Sequence, residues 1–224
     1  MKRKLLIIGL LINLFLVGCG GSVNTSSEPE VNVSEPEVNV SEPEDTFSEP
    51  DLKDAKLMLK DLPSEFQQPS DEELEAMGFT EEAIANSFKS NFEGSQTMNF
   101  MVFINPDPSN SAMVFSMIFY PLSDDNIQSW DEEVKDPDKS LESFKMGTGS
   151  DSSVPITQNP ELEGIGDGSL GFYTKSQGSN NVEIVMARRK NTAFVIMNMF
   201  LGNNSVNIRD LAIKLDSRID KAYK

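Results

Sequence analysis

The chain has 224 residues, with 36 acidic against 19 basic side chains, a net charge of −17 and no histidine. Such acidity argues against nucleic-acid binding, which works through Lys and Arg on phosphate, and against adhesion of the protein surface to anionic lipid. Without histidine the commonest general base and transition-metal ligand are missing, and a single cysteine excludes disulfides and Cys/His zinc sites.

Lys2-Arg3-Lys4 opens an apolar run from Leu5 to Val17, 13 residues interrupted by Gly9 and Asn13. A basic start, an apolar middle and small residues at the end are the three parts of an export signal. A spanning helix needs roughly 20 apolar residues, so this run is too short to be a good membrane anchor. It ends at Leu16-Val17-Gly18-Cys19, which resembles the lipobox of prokaryotic lipoproteins and contains the one cysteine of the chain. The resemblance implies a signal peptide over residues 1–18, cleavage before Cys19, a diacylglycerol thioether on its sulfur and an acyl group on the new amino terminus. The protein would then be exported and held to a membrane, at the cell surface or in the periplasm, by lipid alone. In lipoproteins of this kind an Asp after the cysteine favours inner-membrane retention; Gly20 stands there and leaves outer-membrane sorting open.

Residues 19–51 read as a stalk. Ser27-Glu28-Pro29-Glu30-Val31-Asn32-Val33 recurs as Ser34-Glu35-Pro36-Glu37-Val38-Asn39-Val40, then decays through Ser41-Glu42-Pro43-Glu44 to Ser48-Glu49-Pro50-Asp51. A proline in every copy forbids a continuous helix despite the heptad period. Like-charge repulsion and few large apolar residues favour a disordered, extended chain, reaching about 100 Å at ~3.1 Å per residue. The stalk carries acidic residues and no basic one; the expectation is a spacer lifting the downstream domain away from a membrane or through a wall, the alternative a repeat-slipped tail of no specific length. Asn24, Asn32 and Asn39 match the N-glycosylation pattern, which matters only in a glycosylating host.

Residues 52–224 are long enough for one domain with its own core. Leu52, Ala55, Met58, Leu59 and Leu62 have the spacing of one helical face, ended by Pro63. Ser70-Asp71-Glu72-Glu73 begins a short helix closing at Gly78. Thr80 begins a second, with Ile84, Phe88 and Phe92 on its stripe and Gly94 past its end. Thr97–Ile104 and Ala112–Tyr120 flank a turn-rich loop and predict a hairpin. Ser123 opens a helix burying Ile127, Trp130 and Val134; Leu141 and Phe144 add one turn beyond Pro137, stopped at Gly147. Leu170–Lys175, Val182–Arg189 and Ala193–Phe200 predict three strands, the last two joined at Lys190-Asn191. A final helix begins at Asn204 or Ser205, with Val206, Ile208, Leu211, Ala212, Leu215 and Ile219 available to its inner face.

This order predicts an α+β fold, an antiparallel five- or six-stranded sheet, with one face covered by the C-terminal helix and the helix near Trp130. Gly166-Asp167-Gly168-Ser169, the run Arg188 to Val195 and the run Asp210 to Asp216 are similar to the closing half of PsbP-like α/β-sandwich domains of exported lipoproteins. That resemblance covers about 60 residues and implies a fold and a mostly non-catalytic accessory or assembly role, with no functional residue carried over.

Candidate sites are few. Gly166-Asp167-Gly168-Ser169-Leu170-Gly171 matches G-x-G-x-x-G, but a strand follows it where a dinucleotide site needs a helix, so it reads as a strand-entering turn. Ser169 has no histidine partner and no glycine at 167, so it is not a nucleophile elbow. Asp124, Asp125, Asp131, Glu132, Glu133, Asp136 and Asp138 lack EF-hand spacing and read as a solvated helix face, not a metal site. Arg188, Arg189 and Lys190 are the one basic triplet beyond the signal and the candidate patch for a partner's carboxylate or phosphate; the alternative is a charged hairpin end that discourages edge pairing. The expectation is a non-enzymatic interaction or assembly module of the cell envelope, with an envelope protein partner, no cofactor and Cys19 as its lipidation site. A small-molecule or metal-ion binding lipoprotein serving a transporter or sensor is the alternative.

Overall fold

The computed structural model describes residues 49–78, 94–147, 155–175, 180–202 and 205–224. The signal, Cys19, nearly all of the stalk and the helix expected from Thr80 lie outside the described residues. The fold is α+β, as its element order requires: one six-stranded antiparallel sheet with helices packed on it. The strands are β1 (Gln96–Asn105), β2 (Ala112–Tyr120), β3 (Ile156–Gln158), β4 (Gly168–Lys175), β5 (Asn180–Arg189) and β6 (Thr192–Leu201). The helices are α1 (Asp71–Ala76), α2 (Asp124–Lys135), α3 (Pro137–Gly147) and α4 (Ile208–Ala222). Strand order is β1-β2-β6-β5-β4-β3, so the β1–β2 hairpin and the β3-to-β6 meander meet where β6 pairs with β2.

β2 and β6 are central, and their near-continuous apolar runs are buried on both faces of the pleat, as a doubly covered strand requires. Val114, Ile118, Phe194 and Ile196 point into one cluster with Leu211, Ala212, Leu215 and Ile219 of α4. Met113, Phe115, Met117, Val195 and Met197 point into the other, against which Ile127 and Val134 of α2 and Leu141 of α3 pack. The two helical layers thus lie on opposite faces. This corrects the expectation that α4 and the Trp130 helix share one face.

Three local differences have physical causes. The segment from Leu52 to Leu62 is not a helix but two 3-10 turns, Leu52–Asp54 and Leu59–Asp61. The Asn99 side chain donates to the carbonyls of Leu52 and Ala55, and Arg218 to that of Lys56, occupying oxygens that helical bonding would use. Leu52, Ala55, Leu57, Leu62 and Phe66 still bury in the α4 cluster. Second, α3 runs for three turns, with Pro137 at its first position, where a missing N–H loses nothing. Third, α4 starts after Asn207, whose side chain accepts from the Asp210 N–H. Val206 and Leu211 bury on either side of that cap, in the positions a hydrophobic staple pairs.

Candidate functional site

Arg188 and Arg189 close β5, and Lys190-Asn191 turns into β6, with Lys190 at φ 53°. Neighbouring residues of a strand face opposite ways, so the two arginines serve opposite layers. Arg188 is 9% exposed and donates to Asp131 of α2 and to the Lys190 carbonyl, 2.8 Å. Arg189 reaches α4, donating through Nε and Nη2 to the two carboxylate oxygens of Asp216, and through Nη1 to Asp167 at 3.0 Å. The Asp216 hydrogen bond, joined by the charges of Asp216, Asp167 and Asp220, outweighs burial and raises the Arg189 pKa.

Asp167 is the hub. It accepts from Arg189 and, at 2.6 Å, from the Lys190 backbone N–H, while its own N–H donates to the Arg188 carbonyl at 2.7 Å. Gly166 before it sits at φ 66°, where a Cβ would meet the Arg188 carbonyl oxygen at 2.3 Å. Gly171 allows Asn159 and Leu162 to lie on the strand, since a Cβ there would come within 2.5 Å of both. The glycines of the G-x-G-x-x-G match therefore serve a strand-entering turn and close packing, with β4 directly after the turn.

Lys190 lies with its ammonium 4.5 Å from the centre of the Tyr223 ring. The Tyr223 hydroxyl meets Thr192 at 2.5 Å and donates to Asn191, and burial pushes its pKa up. The triplet expected to receive a partner's anion is thus brought together, but both guanidinium groups are engaged by carboxylates of this chain. The turn before β4, the end of β5 and α4 are joined by Asp167, Arg189 and Asp216.

The acidic residues of α2 do different work from one another. Asp131 pairs with Arg188, and Asp136 caps the Lys139 N–H at 3.2 Å. Glu133 is half-buried, and burial pushes its carboxyl pKa up against the lowering effect of Lys139. Among the described residues no group of three or more acidic side chains converges as a metal ion would need.

Two features escape the sequence. Asp61 binds Arg218 of α4 through both carboxylate oxygens, at 2.6 and 2.9 Å, fastening the entering segment to the last helix. Burial pushes the Asp61 carboxyl up, but the Arg218 hydrogen bond, the Met58 N–H and the charges of Arg218 and Lys214 bring it below its usual value. The other feature is a polar group on the α4 face: Tyr173 donates to Asn181 at 3.0 Å, and Asn198 donates to Glu183 at 3.5 Å. Its signal was present in β5 and β6 as Glu183 and Asn198, polar residues standing where alternation calls for core. Their partnership depends on register, which spacing along one strand does not reveal. No protein-family model matches this chain, and no curated protein matches it.

Proposed function

We propose that the protein is a membrane-anchored lipoprotein of the cell envelope whose folded domain is a non-enzymatic interaction or assembly module. The observation that carries this reading is the order of parts: a basic and apolar leader ending in Leu16-Val17-Gly18-Cys19, an acidic proline-punctuated repeat, then a domain. A lipidated Cys19 supplies membrane attachment with no spanning helix; single acyl chains hold marginally and multiple signals hold stably. The repeat supplies reach. The absence of histidine and of any second cysteine from the sequence leaves few groups suited to catalysis near neutral pH. The two arginines of the basic triplet, paired with Asp167 and Asp216, join the domain's own layers. In-cell cross-linking of the tagged chain, followed by mass spectrometry, tests the module: a specific envelope protein is expected, and turnover of a substrate by the purified chain would contradict it.

A further inference from the structure

Arg218 of α4 donates to the Lys56 carbonyl at 2.6 Å and holds Asp61 through both oxygens, and Lys214 reaches the Asp61 carbonyl at 3.4 Å. The entering segment therefore lies along α4, its residue numbers rising as those of the helix fall. Lys53, Lys56 and Lys60 come from one side of this seam; Lys214 and Lys221, about two turns apart, come from the other. Lys53, Lys60, Lys214 and Lys221 are exposed, and among the described residues none of the four forms an ion pair. Three of the neighbouring carboxylates are answered by arginine or lysine: Asp61 by Arg218, Asp216 by Arg189 and Asp220 by Lys224. Asp54 and Asp210 stand exposed beside the four lysines. The layer across the sheet has the reverse charge, α2 alone carrying Asp124, Asp125, Asp131, Glu132 and Glu133 against Lys135. The seam is a cationic strip on a chain of net charge −17. Among the described residues, the exposed large apolar side chains are here too: Leu59 at 43%, next to Lys60, and Ile213 at 46%, next to Lys214.

The segment whose chemistry fits this strip is the chain's own stalk. Each full repeat sets two glutamates beside two valines, as in Glu35-Pro36-Glu37-Val38-Asn39-Val40, and so offers carboxylates to the lysines and apolar groups to Leu59 and Ile213. The stalk also joins the domain on this layer. The charge of Glu49 acts on Tyr120, which packs against the α4 cluster and whose own charge acts on Tyr223 at the end of α4. The nine residues from Val40 to Glu49 reach about 28 Å at ~3.1 Å per residue, and the 15 residues of α4 rise about 22 Å. A segment tethered so closely has an effective concentration on the order of millimolar, which favours it over free anions. We propose that the acidic repeats of residues 27–44 dock on the seam, their glutamates on Lys53, Lys60, Lys214 and Lys221 and their valines on Leu59 and Ile213. Docked, the repeats shorten the spacer; released by salt or by a more acidic partner, they restore its reach. The contact lies within one chain and holds whether or not Cys19 carries lipid.

The test compares backbone amide chemical shifts of the full chain in neutral detergent with those of a neutral-stalk variant. That variant combines Glu28→Gln, Glu30→Gln, Glu35→Gln, Glu37→Gln, Glu42→Gln and Glu44→Gln, all of which precede the folded domain. Differences are expected at residues 53–60 and 213–221, unchanged on dilution of the sample. Raising salt to 1 M, where the screening length is about 3 Å, should reproduce them in the native chain. A second variant combining Lys53→Gln, Lys60→Gln, Lys214→Gln and Lys221→Gln should cut the salt response at Leu59 and Ile213 about threefold or more, as loss of several exposed ion pairs should. The proposal is overturned if the native and neutral-stalk spectra agree along the seam, or if the four-lysine variant keeps its full salt response. Differences that vanish on dilution would place the stalk on a second copy and overturn it as well. Seam shifts that arise only when phosphatidylglycerol is added to the micelles would assign the strip to lipid headgroups instead.

Discussion

Asp167 accepts from a guanidinium on one side and from a turn N–H on the other, so its removal leaves both donors unanswered. Asp167→Ala is expected to destabilise the chain by about 1–3 kcal/mol in urea unfolding, the range for a lost hydrogen bond that strands its partner. Lys190→Ala removes one exposed cation–π contact and is expected to change stability by at most about 1 kcal/mol. The reverse ranking would remove Asp167 from the centre of the cluster. Two carboxyls set opposite pH dependences. Asp61 is lowered in the folded chain, so its contribution is complete above its ordinary value of 3.8 and is lost as pH falls through the lower folded value. Glu133 is raised by burial, so its ionisation weakens the fold as pH climbs from 4.5 through the raised value. Glu133→Gln should therefore raise the Tm at pH 7 and leave it unchanged at pH 3; equal shifts at both pH values would contradict this.

Among the elements, α4 fastens several parts together, since it covers β5 and β6 and holds Asp216 for Arg189 and Arg218 for Asp61. Leu215 is 0% exposed at its centre, and Leu215→Ala should cost about 2–5 kcal/mol, measured by the same unfolding curves. Gly171→Ala should also destabilise, by about 1–3 kcal/mol, because the added methyl meets Asn159 and Leu162 within 2.5 Å. The long strands were legible as apolar and aromatic runs bounded by turn residues, and Ser70 and Ser123 announced their helices by capping them. The Leu52–Leu62 segment was not, because Asn99, 47 residues from Leu52, decides where its carbonyls bond. β3 has three residues, too few for periodicity to register. The covering of both faces was written in the near-continuous apolar runs of β2 and β6, a signal that alternation alone overlooks. Of the sites, the basic triplet was visible as composition, whereas its carboxylate partners come from α2, α4 and the turn before β4.

For the whole molecule, the described chain enters at the sheet end where β1 begins and β2 ends: Pro50 is buried, and burial together with the charge of Glu49 raises the Tyr120 pKa. The Arg188–Lys190 turn is at that same end, and Glu183, Tyr173 and Asn198 lie toward the opposite one. Cys19→Ser should release the protein from membranes into the soluble fraction, and unchanged retention would mean another mode of attachment. The most direct measurement is mass spectrometry of the N-terminal peptide of the chain isolated from its membrane. A mature chain beginning at Cys19 and carrying the mass of a diacylglycerol thioether is the predicted result. An unmodified Cys19 thiol in the membrane-bound protein would contradict the lipoprotein reading on which the envelope function rests.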